Sequence, residues 1–96
     1  MTSNVLAFSL NTCKFSDSVP LNEARGHHSS VSLGNNIYVF GGINNHFVST
    51  IEMLDVSGGL VPLNTAWKTI RSKNFTAREY PSVCAINSSQ ILVCGG

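Results

Sequence analysis

Charge is what this 96-residue sequence has least of: six Lys and Arg and five Asp and Glu leave it 11% charged, with a net charge of +1. No Lys or Arg cluster is present, so the electrostatic footprint of a nucleic-acid binder is missing, and nothing favours an anionic membrane surface. No segment reaches the roughly 18 apolar residues that span a bilayer. The stretch Val5-Leu6-Ala7-Phe8-Ser9-Leu10 is shorter than a signal-peptide core of roughly 7–15 apolar residues, and no basic residue precedes it. Cysteine is confined to Cys13, Cys84 and Cys94, an odd number without metal-type spacing. These read as free, buried thiols of a reducing compartment, which points to a cytoplasmic protein. Asn74-Phe75-Thr76 and Asn87-Ser88-Ser89 fit the glycosylation pattern, which matters only in a secreted chain.

Helical periodicity is missing too. No stretch of ten or more residues keeps its apolar positions at a 3.6-residue spacing, so the chain reads as all-β. Its 43% apolar content is that of an ordered globular protein, and its length allows one small domain.

What is present is a repeat. Ile37-Tyr38-Val39-Phe40-Gly41-Gly42 returns 54 positions later as Ile91-Leu92-Val93-Cys94-Gly95-Gly96. Four apolar residues without a break suit a strand buried on both faces. Paired glycines end the strand and admit another backbone or a large ring, because they carry no Cβ. Arg25 precedes Gly41 by 16 residues and Arg78 precedes Gly95 by 17. Between them, Val31 matches Cys84 and Leu33 matches Ile86. The one-residue difference is expected in the turns, where Gly34-Asn35-Asn36 faces Asn87-Ser88-Ser89-Gln90.

In chain order, residues 4–10 and 13–15 read as two strands joined by a turn at Asn11-Thr12, and a loop through Pro20 leads to Arg25. Hairpins follow at about 28–33/37–41 and 81–86/91–95. Ile51–Val56 is expected beside Ile37–Phe40, and Trp67–Ile70 at the outer edge of the same sheet. Glu52 and Asp55 read as the solvated side of their strand.

An arginine, an alternating strand, a turn, an Ile-Tyr-Val-Phe-Gly-Gly strand, an acid-flanked strand and a Trp strand together resemble the kelch repeat, a propeller-forming repeat with a period of about 50. The resemblance implies a kelch-type β-propeller fragment, with one complete four-stranded antiparallel blade flanked by two half-blades. Residues 1–24 would end one blade, 25–71 would form the complete blade, and 78–96 would supply the first two strands of the next. In that frame Gly41-Gly42 and Trp67 take the family's places, Phe8 fits the third-strand aromatic position that Leu54 leaves unfilled, and Phe15 stands where the preceding repeat would have its Trp. Uncovered blade flanks would expose about six large apolar side chains at ~1.5–3 kcal/mol each. That is on the order of 10 kcal/mol, comparable with a typical domain's stability of roughly 5–15 kcal/mol. The chain is therefore expected to be part of a propeller or to self-associate.

For function, the resemblance implies a non-catalytic protein–protein interaction module that presents loops to a protein or peptide. The alternative is a fragment of a propeller enzyme, a copper-dependent alcohol or sugar oxidase or a sialic-acid-processing enzyme, whose active site lies outside this chain. The residues favour binding. His27-His28 and His46 do not converge as metal ligands, no carboxylate pair stands out, and no Gly-x-Ser-x-Gly is present. No cofactor is expected. In a propeller the loops after each second strand and before each first strand emerge at one end. Arg25, His46, Phe47, Lys73, Phe75, Arg78 and Tyr80 are therefore the partner-binding candidates, a mixture of cations and rings enriched at interface hot spots. For Arg25 and Arg78 a structural role, bonding loop carbonyls, is weighed beside partner contact. The opposite end, with the 57–66 loop, offers few anchors.

Overall fold

A computed structural model describes residues 2–57 and 66–96. Eight strands appear among them: β1 (Leu6–Ser9), β2 (Lys14–Asp17), β3 (Ser29–Leu33), β4 (Asn36–Phe40), β5 (Ile51–Asp55), β6 (Lys68–Ile70), β7 (Ser82–Asn87) and β8 (Gln90–Cys94). They form a four-stranded antiparallel sheet in the order β3-β4-β5-β6, flanked by the two-stranded sheets β1-β2 and β7-β8. This is the expected arrangement of one complete blade between two half-blades. The 57–66 loop lies almost wholly outside the described residues.

Alternation along the strands gives the complete blade two occupied faces. On one face Val39 and Leu54 join Leu21 and Trp67 in the buried core, with Val5 and Val19 of the β1–β2 unit packed against them. On the other face Phe40 meets Phe75 edge-on, with ring centroids 6.1 Å apart, and the Ser29 hydroxyl donates to the Pro81 carbonyl. The Trp67 indole Nε1 donates to the Val19 carbonyl at 2.8 Å, fastening the first half-blade to the blade.

Three expectations are corrected. The extra residue of the second hairpin is not in its turn: both turns have two residues, at 34–35 and 88–89. Ala85 pairs with Ile91 and Asn87 with Gln90, so Ile86 is the inserted residue, taken up as a β-bulge in β7. The three cysteines are free but exposed, not buried; Cys84 and Cys94 sit on a face of β7–β8 that no second sheet covers among the described residues. Glu52 is not solvated at all: it is 0% exposed, for a reason that lies in the site.

Candidate functional site

Arg25 is placed by an isolated bridge to Thr2 just ahead of β3, and its side chain turns inward. One terminal nitrogen donates to the carbonyls of Gly41 and Thr50, both at 2.9 Å. The other donates to Thr50 Oγ1 at 2.9 Å and to Glu52 Oε2 at 2.8 Å. The carboxylate of Glu52 also accepts the backbone N–H of Asn22 at 2.6 Å and of Glu23 at 3.1 Å. Arg25 is 1% exposed, so it is removed from the partner-facing set: it is the internal strut of the blade, joining the end of β4, the start of β5 and the loop before β3. The burial of Glu52 follows, because a strand carboxylate beside an enclosed guanidinium is held there by charge and by two amide donors.

The second repeat copies part of this device. Arg78 donates to the Gly95 carbonyl at 2.9 Å, as Arg25 does to Gly41, so the arginine–glycine spacing of the sequence is a hydrogen bond. Arg78 also donates through Nε to Thr76 O at 3.1 Å and lies 5.9 Å from the centroid of the Phe75 ring. Both residues are half-buried. Their positions serve the seam between the complete blade and β7–β8 as well as the surface.

Gly41 is where the two units touch. Its φ is +69°, and a Cβ there would stand 2.4 Å from the Arg78 carbonyl oxygen. The neighbouring Gly42 N–H donates to that same oxygen at 2.8 Å. The close approach expected of the glycine pair is thus made by backbone. His27 and Tyr80 each follow their arginine by two residues, and both adopt the left-handed region, with φ of 54° and 53°. Their rings stack at 4.4 Å, and His27 Nδ1 lies 2.8 Å from Glu79 Oε2. His28, on the other side, has its pKa lowered by burial first and by the Arg25 charge second.

The open part of the site is a polar cleft of about 360 Å³ whose lining includes Glu23, His46, Ser49, Thr69 and Arg71. The loop that carries His46 is rigidly made. Ile43 pairs its backbone with Gly26, and the Val48 N–H donates to the Gly42 carbonyl at 2.9 Å. Asn44 Oδ1 accepts the amides of Asn45 and His46, while its Nδ2 donates to the Ala24 carbonyl. Glu23 is held by Thr50 Oγ1, which donates to it at 2.7 Å. Phe47, next to His46, stays 53% exposed. Arg71 has no ion-pair partner among the described residues, so its charge is available to a ligand.

The seven sequence candidates thus separate. His46 lines the cleft, with Phe47 adjacent in the chain. Phe75, Arg78 and Tyr80 gather at the seam between blades, and Lys73 is exposed in the turn before them. Glu23 and Arg71 are additions that sequence reasoning misses. A single acid and a single arginine in loops carry no spacing signal, and only the fold brings them together. Among the described residues no group of three or more His, Cys, Asp or Glu is placed to hold a metal ion.

Residues 24–60 match the family model described as Kelch motif. No curated protein matches the chain.

Proposed function

We propose, from the Kelch motif that residues 24–60 carry, that the chain is a non-catalytic protein-interaction module that takes an acidic peptide segment in the cleft beside the 43–49 loop. The observation that carries this reading is Arg71, without an ion-pair partner among the described residues, in a cleft that it shares with His46, the chain neighbour of the exposed Phe47, on a loop fixed by its own backbone bonds. A rigid loop loses little conformational freedom on binding. A free guanidinium recognises a carboxylate through two parallel N–H donors. The exposed ring of Phe47, one residue along the chain from His46, supplies an apolar anchor of the kind that peptide interfaces draw on. Glu23, already occupied by Thr50, sets a negative edge to the cleft and so favours a ligand with a single acid near Arg71 over a uniformly acidic one.

The test is a peptide array probed with the folded chain. Peptides holding an acidic residue next to an apolar one should be enriched, and Arg71→Ala and Phe47→Ala should each abolish that enrichment without lowering the melting temperature. Enriched peptides that bind both variants as well as the parent would place recognition elsewhere.

A further inference from the structure

The cleft beside the 43–49 loop is lined by donors whose protons are unspent. Arg71, His46 and Ser49 belong to its lining, and none of their side chains has a hydrogen-bond or ion-pair partner among the described residues. Thr69 adds a fourth donor. Its oxygen accepts Nδ2 of Asn22 at 3.1 Å, which leaves the hydroxyl proton to give. These donors come from separate segments: His46 and Ser49 from the β4–β5 connection, Thr69 from β6, and Arg71 from just past the end of β6. Thr69 pairs with Glu52, and continuing that register sets Arg71 opposite Thr50. Alternation along β6 brings positions 69 and 71 to one side of the blade, and both line the cleft there with Asn22 and Glu23 of the loop before β3.

Acceptors in the same lining are largely taken. The Thr50 hydroxyl donates to Glu23 Oε1 at 2.7 Å, and Asn44 Nδ2 lies 3.4 Å from Glu23 Oε2. The Arg25 guanidinium stands 4.0 Å from Glu23 Oε1 and offsets part of its charge. Asn22 Nδ2 also donates to the Trp67 carbonyl at 2.7 Å, so only the amide oxygen of Asn22 stays open. An occupant must therefore bring acceptors, and more than a pair of them. A carboxylate is planar, and two parallel N–H groups of Arg71 satisfy both of its oxygens. The imidazole and the two hydroxyls would then lack a partner. A phosphate ester carries three strong acceptor oxygens and a charge of about −1.5 to −2. Its tetrahedral shape lets it take the Arg71 fork and still accept from donors on other sides.

We propose that the acidic group this cleft takes is the phosphate of a phosphoserine in the bound peptide. The inference rests on the acidic-peptide reading and narrows it. A peptide is favoured over a lipid headgroup because the chain has a net charge of +1 and no cluster of Lys or Arg to hold an anionic membrane surface. Phe47, exposed and one residue along the chain from His46, offers the residues flanking a phosphoserine an apolar contact. Glu23 limits the cleft to one such group, since a second acid set against it meets a like charge.

The experiment immobilises the full chain and measures retention of three degenerate peptide libraries. They are identical except at one fixed position, which holds serine, glutamate or phosphoserine ahead of a fixed leucine. The phosphoserine library should be held roughly tenfold more tightly than the glutamate library, as further charge-assisted hydrogen bonds to one anion predict, and the serine library should stay at background. Arg71→Ala should release both acidic libraries. Ser49→Ala should weaken only the phosphoserine library, by several-fold, and Ser49→Thr, which keeps the hydroxyl, should restore it. Circular dichroism confirms that each variant is folded. Equal retention of the glutamate and phosphoserine libraries through Arg71 would overturn this inference and leave the acidic-peptide reading standing. Retention of neither would overturn both. Displacement of the phosphoserine library by equimolar inorganic phosphate, or binding to phosphoinositide vesicles and to no library, would assign the cleft to a different phosphate and overturn the phosphopeptide.

Discussion

Arg25 and Glu52 face each other at 2.8 Å with both side chains wholly enclosed. Removing two ions from water is costly, and their mutual attraction offsets that cost only when the remaining donors and acceptors are also met. Here they largely are: two carbonyls and a hydroxyl receive the guanidinium, and two backbone amides reach the carboxylate. The pair therefore fixes the loop before β3 against the start of β5, which is the floor of the cleft that carries the proposed function.

Glu52→Gln should be strongly destabilising. The amide places an NH₂ group among donors and leaves the Arg25 charge buried without its counter-ion, a loss of about 3–5 kcal/mol for breaking a buried pair. Urea unfolding checks this, with Asp55→Asn on the exposed side of the same strand as the control. The control midpoint should shift little. Equal shifts would mean that the ion pair contributes nothing particular.

How much of this is legible in the sequence depends on whether the cause is local. The arginine-to-glycine spacing is readable because the hydrogen bond it encodes recurs in both copies. The strand order follows from the repeat frame and period-two alternation. Glu52 escapes such a reading because an acid on an alternating strand has the pattern of a solvated residue. What buries it is Arg25, 27 residues away. Ile86 escapes for a related reason: matching the two repeats by sequence cannot distinguish a longer turn from a bulge, and only the pairing of Ala85 and Asn87 decides. The left-handed conformation of Tyr80 has no residue-type signal, and that of His27 only the modest enrichment of histidine at positive φ.

Substituting two of the positive-φ glycines, Gly34 and Gly41, should separate conformational strain from contact. Gly34 and Gly41 both have positive φ, but only Gly41 has a neighbour where a Cβ would go. Alanine at either site costs about 1–2 kcal/mol for the left-handed backbone. Gly41→Ala must also push away the Arg78 carbonyl, so it should lower the melting temperature further and speed amide exchange throughout β7 and β8. Gly34→Asn, in an open turn, should be nearly neutral. Similar exchange in β7 and β8 for Gly41→Ala and Gly34→Ala would remove Gly41 from its role at the seam.

Acidification should destabilise the chain through His28. Its lowered pKa means the folded protein binds the imidazole proton more weakly than the unfolded chain, whose value is near 6.5. As pH falls through 6.5 the unfolded state takes up protons first, so stability present above that value is lost progressively toward the lowered folded value. His28 keeps an exposed flank, which keeps the effect small. Melting curves between about pH 8 and pH 5 should show a shallower pH slope for His28→Gln than for the parent. Parallel slopes would assign the acid sensitivity to other groups.

Trp67 should act as the fastener of the first half-blade more than as filler. Its ring is buried in the core, and its indole N–H satisfies the Val19 carbonyl at 2.8 Å. Trp67→Phe keeps an aromatic ring but leaves that carbonyl without its donor, a cost of about 1–3 kcal/mol. Trp67→Ala removes the ring as well and should cost about 3–5 kcal/mol. The two roles differ in where the loss is felt. Val19 lies between Ser18 and Leu21, whose amides donate to the carbonyls of Val5 and Ser3. Losing the indole bond should therefore speed hydrogen exchange at Ser18 and Leu21 several-fold while the β3–β4 amides keep their protection. If Trp67→Phe instead speeds exchange evenly across β3 to β6, the indole bond is incidental and the residue serves the blade by volume alone.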